Sequence, residues 1–257
     1  MKKAETLVVK ESLPRPITGL ERRVLRGLLR LLFLLRYQRR HARLCLEKVG
    51  KLRLLITPQV FNPNLFGSSR FLVEYLQKYP LPPNSRVLDL GCGSGILGIS
   101  LAGRGVEVIA TDINPEAVWL AAVNARLNGC DAQYQTRQGS LYEPVTHEAE
   151  KFDLIVINPP YYPHSPKSPL EQAFMAGPDL EVLRGMLVGV AEHVKEDGCA
   201  LVVVSSTIAL APCLEEAKRA GLSWELVAKR RYWAEWLLIY QFQLAVRRAV
   251  RQADIHA

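Results

Sequence analysis

The sequence predicts a doubly wound α/β fold: a mostly parallel seven-stranded sheet with helices on both faces and a C-terminal antiparallel hairpin. Three observations carry this. Short apolar runs alternate with helical stretches from residue 86 onward, the pattern of successive βαβ units. Val87-Leu88-Asp89-Leu90 runs directly into Gly91-Cys92-Gly93-Ser94-Gly95 and then into an apolar helical stretch, the strand, glycine loop and helix of such a sheet. Two closing β-rich runs, Ser223 to Arg231 and Trp236 to Ala245, are joined by a short turn and so form an antiparallel edge.

The elements follow in order. Ser69 to Lys78 reads as a helix, ended by Pro80, Pro82 and Pro83 with Asn84 and Ser85. The first clear strand is Arg86 to Leu90 and the second is Val106 to Thr111, ending at Asp112. Pro115 suits the first turn of a helix that runs to about Asn128 and stops at Gly129. Ala132 to Arg137 is a short alternating strand, and Phe152 to Ile157 is the fourth. Pro163, Pro166 and Pro169 predict a structured loop with no helix. A helix from Asp179 to about Lys195, a strand from Cys199 to Ser205 and a helix from about Pro212 to Ala220 complete the series.

Charge divides the chain unevenly. Between Arg15 and Arg53 there are 12 Lys or Arg against Glu21 and Glu47, a local net of +10 in a chain whose total is +8. Everything beyond residue 53 is therefore mildly acidic. The arginines are interleaved with leucines from Leu20 to Leu35, a broad apolar stripe on a helix. The domain division that follows is a basic helical arm over residues 1–55, a catalytic domain over 56–248 and a tail over 249–257. The arm can pack on the body with a solvated basic face, hold RNA or the ribosome, or lie on a membrane surface. Its longest uncharged stretch, Leu31 to Leu35, is far below the ~20 residues of a membrane span, so no transmembrane helix is expected. Glu5 and Glu11 ahead of the arginines argue against a cleaved transit peptide. Five scattered cysteines suggest neither a disulfide framework nor a metal site, and a monomer in a reducing cytoplasm is the expectation.

Gly93-x-Gly95-x-x-Gly98 also satisfies a dinucleotide pattern, so the glycines alone do not separate a nicotinamide site from an S-adenosylmethionine (SAM) site. Asp89 favours SAM, because a carboxylate at the strand end repels a pyrophosphate and attracts an ammonium. Asp112, about twenty residues beyond the loop, is placed to accept from both ribose hydroxyls, or to cap the helix that begins at Pro115. Asn158-Pro159-Pro160-Tyr161 sets a turn at the end of a buried strand. Its prolines fix φ and remove donors, leaving carbonyls to accept both N–H bonds of a planar –NH₂ group. Held so, the nitrogen lone pair points at an electrophilic methyl, and the charge that develops on nitrogen is stabilised by the same dipoles. Tyr161 offers a flat face to the acceptor. His147 and His164 read as surface histidines.

These motifs, with Thr111-Asp112-Ile113-Asn114-Pro115, resemble those of the class I SAM-dependent methyltransferases that modify planar nitrogens. The nearest subgroup is the HemK-type protein-glutamine methyltransferases and their small-domain relatives acting on rRNA or tRNA. The resemblance covers roughly residues 56 to 245 and extends to Ala176-Gly177-Pro178-Asp179-Leu180-Glu181-Val182. It implies that Asp89, Gly91 and Gly93 line the methionine end of SAM, that Asp112 takes the ribose and Ile113 flanks the adenine. Cys92, Gly95, Asn114, Ser140, Leu141 and Asn158 are further implied cofactor contacts, and Asn158, Pro159, Pro160 and Tyr161 hold the acceptor. Relatives often carry an acidic residue where this chain has Gly139-Ser140-Leu141. Val60 to Ser69 stands where the family places a segment over the cofactor. The implied function is N-methylation of a macromolecule, a protein glutamine first and an rRNA, tRNA or DNA base amine second. A non-catalytic RNA-binding subunit with this fold and a nicotinamide oxidoreductase are the competing classes.

Overall fold

The computed structural model describes residues 43–145, 150–233 and 235–245. The stretch Arg15–His41 of the basic arm, His147 and the tail from 249 lie outside the described residues.

Seven strands form the main sheet: β3 (Arg86–Leu90), β4 (Glu107–Asp112), β5 (Tyr134–Gln138), β6 (Phe152–Ile157), β7 (Val194–Ser205), β8 (Leu222–Tyr232) and β9 (Glu235–Leu244). Their spatial order is β5-β4-β3-β6-β7-β9-β8, parallel from β5 to β7, with β9 antiparallel to both β7 and β8. The side-chain alternation of the strands splits the core in two. Val87, Leu154, Val156, Leu201 and Val203 face one layer, and Leu88, Leu90, Ile155, Ile157, Val202 and Val204 face the other. Helices Ile96–Ala102 and Ser68–Leu76 cover the first layer, and Glu181–His193 and Ala211–Arg219 cover the second.

Register decides where the chemistry can sit. Leu90 pairs with both Thr111 and Ile157, and Asp112 pairs with Gln138. The glycine loop, Asp112, Gly139-Ser140-Leu141 and the Asn158 turn therefore leave the sheet side by side along one edge. The chain winds from β3 outward through β4 to β5, then returns to β6 on the other side of β3. That reversal opens a crevice at the carboxyl ends of β3 and β6.

Three expectations change. Residues 45–55, assigned from sequence to the helical arm, form with Ile56 an antiparallel hairpin of β1 (Cys45–Val49) and β2 (Leu52–Ile56) around the two-residue turn Gly50-Lys51. The proline-rich segment does contain a helix of four residues, Pro169–Gln172: Pro169 occupies its first turn, where no N–H is needed, and Ser168 caps it by accepting from the Glu171 N–H at 3.2 Å. Asp112 is not the cap of helix Pro115–Leu127; Asn114 is, accepting from the Glu116 N–H at 3.0 Å.

Candidate active site

The crevice holds a cavity of about 440 Å³, within the range of cofactor clefts. Gly91, Cys92 and Gly93 from the loop line it, with Asp112, Ile113 and Asn114, Ser140 and Leu141, and Asn158 to Tyr161. Twelve of the fourteen residues singled out in the sequence are thus brought to one wall. Asp89 and Gly95 are the two that are not.

Asp89 is fully buried beneath the loop. Its Oδ2 accepts the Gly98 N–H at 2.8 Å inside helix Ile96–Ala102, and its Oδ1 has no hydrogen-bond partner. Strand parity sends this side chain to the face that the helix covers, and Gly98 lets the helix come close: a Cβ there would lie 2.7 Å from Tyr134 and 3.0 Å from Asp89 Oδ2. Burial raises the carboxyl to about 7, the Gly98 N–H opposes this, and the charge of Asp112 adds to it. The expected direct contact between Asp89 and a ligand ammonium is not what the geometry provides. Asp89 instead ties its strand to the helix that follows the loop.

Asp112 joins the parts that the register brings together. Oδ2 accepts the Gly93 N–H at 2.8 Å and Oδ1 accepts the Asn114 N–H at 2.9 Å, while Gly91 and Cys92 both donate to the Thr111 carbonyl. Burial raises its carboxyl, opposed by the N–H groups of Asn114, Gly93 and Ile113. Gly93 has φ of +52° and open space where a Cβ would stand, so the loop backbone faces the cavity bare. Ile113, half exposed, and Leu141 are apolar members of the lining, of a kind suited to a purine face.

At the other end, Asn158 donates from Nδ2 to Ser69 Oγ at 2.9 Å, which leaves its Oδ1 as the acceptor of the amide. Burial holds the Tyr161 phenol well above its usual pKa, and the Ser68 side chain opposes this. Ser69, at the start of helix Ser68–Leu76, thus holds the Asn158 end of the turn. Tyr161 is only 9% exposed and packs in the core beside Tyr162, so it is less open to an acceptor than the sequence suggested. The aromatic surface of the cavity comes also from Phe61, Phe66 and Phe174, whose ring centroids lie 5.4 to 5.8 Å apart. Phe174 is tied in by its carbonyl, which accepts from the Tyr161 and Tyr162 N–H groups at 3.2 and 2.9 Å. Ser69 and Phe174 were not singled out in the sequence, since neither belongs to a spaced motif near the turn.

The only carboxylates of the lining are Asp112 and Glu181, with no Lys, Arg or His among the described residues. Two carboxylates without a cation suit a positively charged ligand and repel a pyrophosphate. This observation fits SAM, which carries a sulfonium and an ammonium, and it disfavours a dinucleotide.

A crevice at the reversal point of a seven-stranded sheet with this terminal hairpin, lined to suit a cation, fits the class of SAM-dependent methyltransferases. Residues 51–231 match the model of the methyltransferase small domain, and the chain belongs to that family. It is 29% identical over 198 residues to a Methanocaldococcus jannaschii protein provisionally named protein N5-glutamine methyltransferase, across 75% of this chain and 95% of that one. It is 40% identical over 115 residues to the release factor glutamine methyltransferase of Deinococcus radiodurans, across 44% of this chain and 38% of that one. The match thus spans well under half of the latter protein. The 16S rRNA N2 G1207 methyltransferase of T. thermophilus, solved with AdoMet and guanosine, has a similar fold, with a TM-score of 0.60, 22% identity and coverage of 78% of this chain and 50% of that one. Among the described residues no helix is long and apolar enough to cross a membrane.

Proposed function

We propose that this enzyme methylates the side-chain amide nitrogen of a glutamine in a protein, and that the residues of the crevice divide the work between cofactor and acceptor. The observation that carries the reading is the Asn158 turn, anchored by Ser69 at the floor of a cavity that offers no cation. The names of the M. jannaschii and D. radiodurans relatives support a glutamine as the acceptor.

SAM supplies, when bound, a methyl group made electrophilic by its positively charged sulfur. Gly91 to Gly93 present bare backbone to its amino-acid end, Asp112 accepts from the ribose, and Ile113 with Leu141 encloses the adenine. Ser140 takes the place of the acidic residue that relatives often carry there, and its hydroxyl makes part of that contact. Asn158 Oδ1 and the Pro159 carbonyl accept the two N–H bonds of the acceptor amide. Each acceptor draws density onto nitrogen and turns its lone pair out of conjugation. Positive charge that develops on nitrogen during transfer meets these dipoles already in place. Prolines 159 and 160 carry no N–H, so the turn offers acceptors without a competing donor. A strong base is not required.

The basic segment from Arg15 to Arg53 supports an additional contact with RNA, on the ribosome for example, that brings the acceptor within reach. Methyl transfer from labelled SAM into cell extract, followed by protease or ribonuclease digestion, tests the acceptor class. Label that protease releases and ribonuclease does not is the expected result; label released by ribonuclease alone refutes the glutamine assignment.

A further inference from the structure

A second cavity, of about 260 Å³, lies on the far side of the Tyr161–Tyr162 pair. We infer that it receives an apolar side chain of the acceptor polypeptide, next to the glutamine that enters the main cavity. This rests on the protein-amide reading proposed above.

The chemistry of the second cavity is that of an apolar side-chain pocket. Pro163, Pro178, Pro212, Leu180, Ile208 and Ala209 supply most of its wall. Three prolines fix their backbone torsions and leave the wall little freedom to lose on binding. Leu180 and Ile208 are buried, while Pro178 and Ala209 stand exposed as the two lips.

Its charge excludes a nucleic-acid strand as the occupant. Among the described residues Arg184 is the one cation of the lining, and it is held by Glu216 through two hydrogen bonds, Nε to Oε2 at 2.8 Å and Nη2 to Oε1. Asp179 is exposed at the rim and carries the remaining charge. A phosphodiester would meet a carboxylate there and an already neutralised guanidinium, whereas phosphate binding needs available cations. A peptide bearing an apolar side chain meets no such cost.

Continuity with the active site fixes which side chain this is. Tyr161 and Tyr162 line both cavities, so the partition is one layer of side chains thick. One or two residues of an extended chain, at about 3.3 Å each, cross that partition. The pocket therefore reads a position within two residues of the methylated glutamine.

The test uses the full chain, tritiated SAM and nine-residue peptides with one central glutamine, scanned at each flanking position. One position within two residues of the glutamine should favour Leu, Ile or Met, and Asp there should raise KM about tenfold or more. Ala209→Trp, which fills the pocket from its exposed lip, should abolish that preference and slow labelling of protein in cell extract, with SAM affinity by calorimetry unchanged. Peptides methylated regardless of their flanking residues overturn the subsite and leave the glutamine reading intact. If no peptide is accepted, extract decides: A209W labelling protein as fast as the native enzyme also overturns it. Label found in RNA alone removes both.

Discussion

Asp89 and Asn158 stand at the ends of paired strands, and each is tied to a helix of the same layer, Asp89 to Gly98 and Asn158 to Ser69. Asp89 is buried with one oxygen unsatisfied, and its carboxyl titrates at about 7 in the folded chain, against about 3.9 for an unfolded aspartate. The native state therefore binds the extra proton between these values, and the stability contributed by this group falls as pH rises through the window. Asp89→Asn keeps an acceptor for the Gly98 N–H and removes the titration. Thermal melts without SAM should show the advantage of D89N growing from pH 4.5 to about 7 and then levelling; an offset that does not vary with pH would show that Asp89 is charged throughout. Asn158→Ala removes one preorganised acceptor and should lower methyl transfer by roughly 10²–10³, with SAM binding kept. Near-native turnover of N158A would reduce the turn to a structural feature.

The helix Pro115–Leu127 shows how one element holds the site together. Asn124, fully buried, brackets Leu55 of β2: Oδ1 accepts its N–H at 2.7 Å and Nδ2 donates to its carbonyl at 2.9 Å. The same Nδ2 donates to the Ser94 carbonyl in the glycine loop at 2.9 Å. Four residues on, Asn128 brackets Arg53 in the same manner, at 3.1 and 2.7 Å. Side-chain amides spaced by one helical turn thus replace a strand partner for alternate residues of β2. The far strand then reaches the segment between the lining residues Phe61 and Phe66, because Glu47 accepts from Asn62 and Asn64, each at 2.8 Å. Asn124→Ala strands buried backbone groups in two elements and should cost about 1–3 kcal/mol or more in urea unfolding, with weakened SAM binding. Asn128→Ala, at a solvent-exposed bracket, should cost under about 1 kcal/mol. Equal costs for the two would contradict the distinction between buried and exposed brackets. The hairpin was not legible in the sequence because its outward residues Lys48, Lys51 and Arg53 merge with the basic run that precedes it, and its strands are only five residues long.

For the whole molecule, the division of charge sets the remaining prediction. A truncation meant to test the basic arm has to end before Cys45, since a cut within the hairpin removes the Glu47 ties to Asn62 and Asn64. Deleting residues 1–42 should raise KM for the macromolecular substrate and leave SAM affinity unchanged. Full-length protein should bind RNA more tightly than the truncated form, with log affinity falling linearly with log salt as counterions are released. Equal RNA binding by the two forms at low salt, with an unaltered KM, would leave the arm without a docking role.

The sequence by itself determined the order of strands and helices, the terminal hairpin and the loops that carry the chemistry, because each is encoded locally: a two-residue or 3.6-residue period, a glycine cluster, a proline pair. It determined also that Asp112 and Asn158 follow strand ends, and the register Leu90–Thr111 and Leu90–Ile157 sets both beside the loop. Only the tertiary structure decided that Asp89 points beneath the loop, since strand parity fixes alternation and not which face a helix will cover. It alone placed Ser69 on Asn158 across 89 residues of chain and Asn124 on Leu55 across 69. Such bonds are made between side chains and backbone whose meeting depends on the packing of separate elements, and no local period records it.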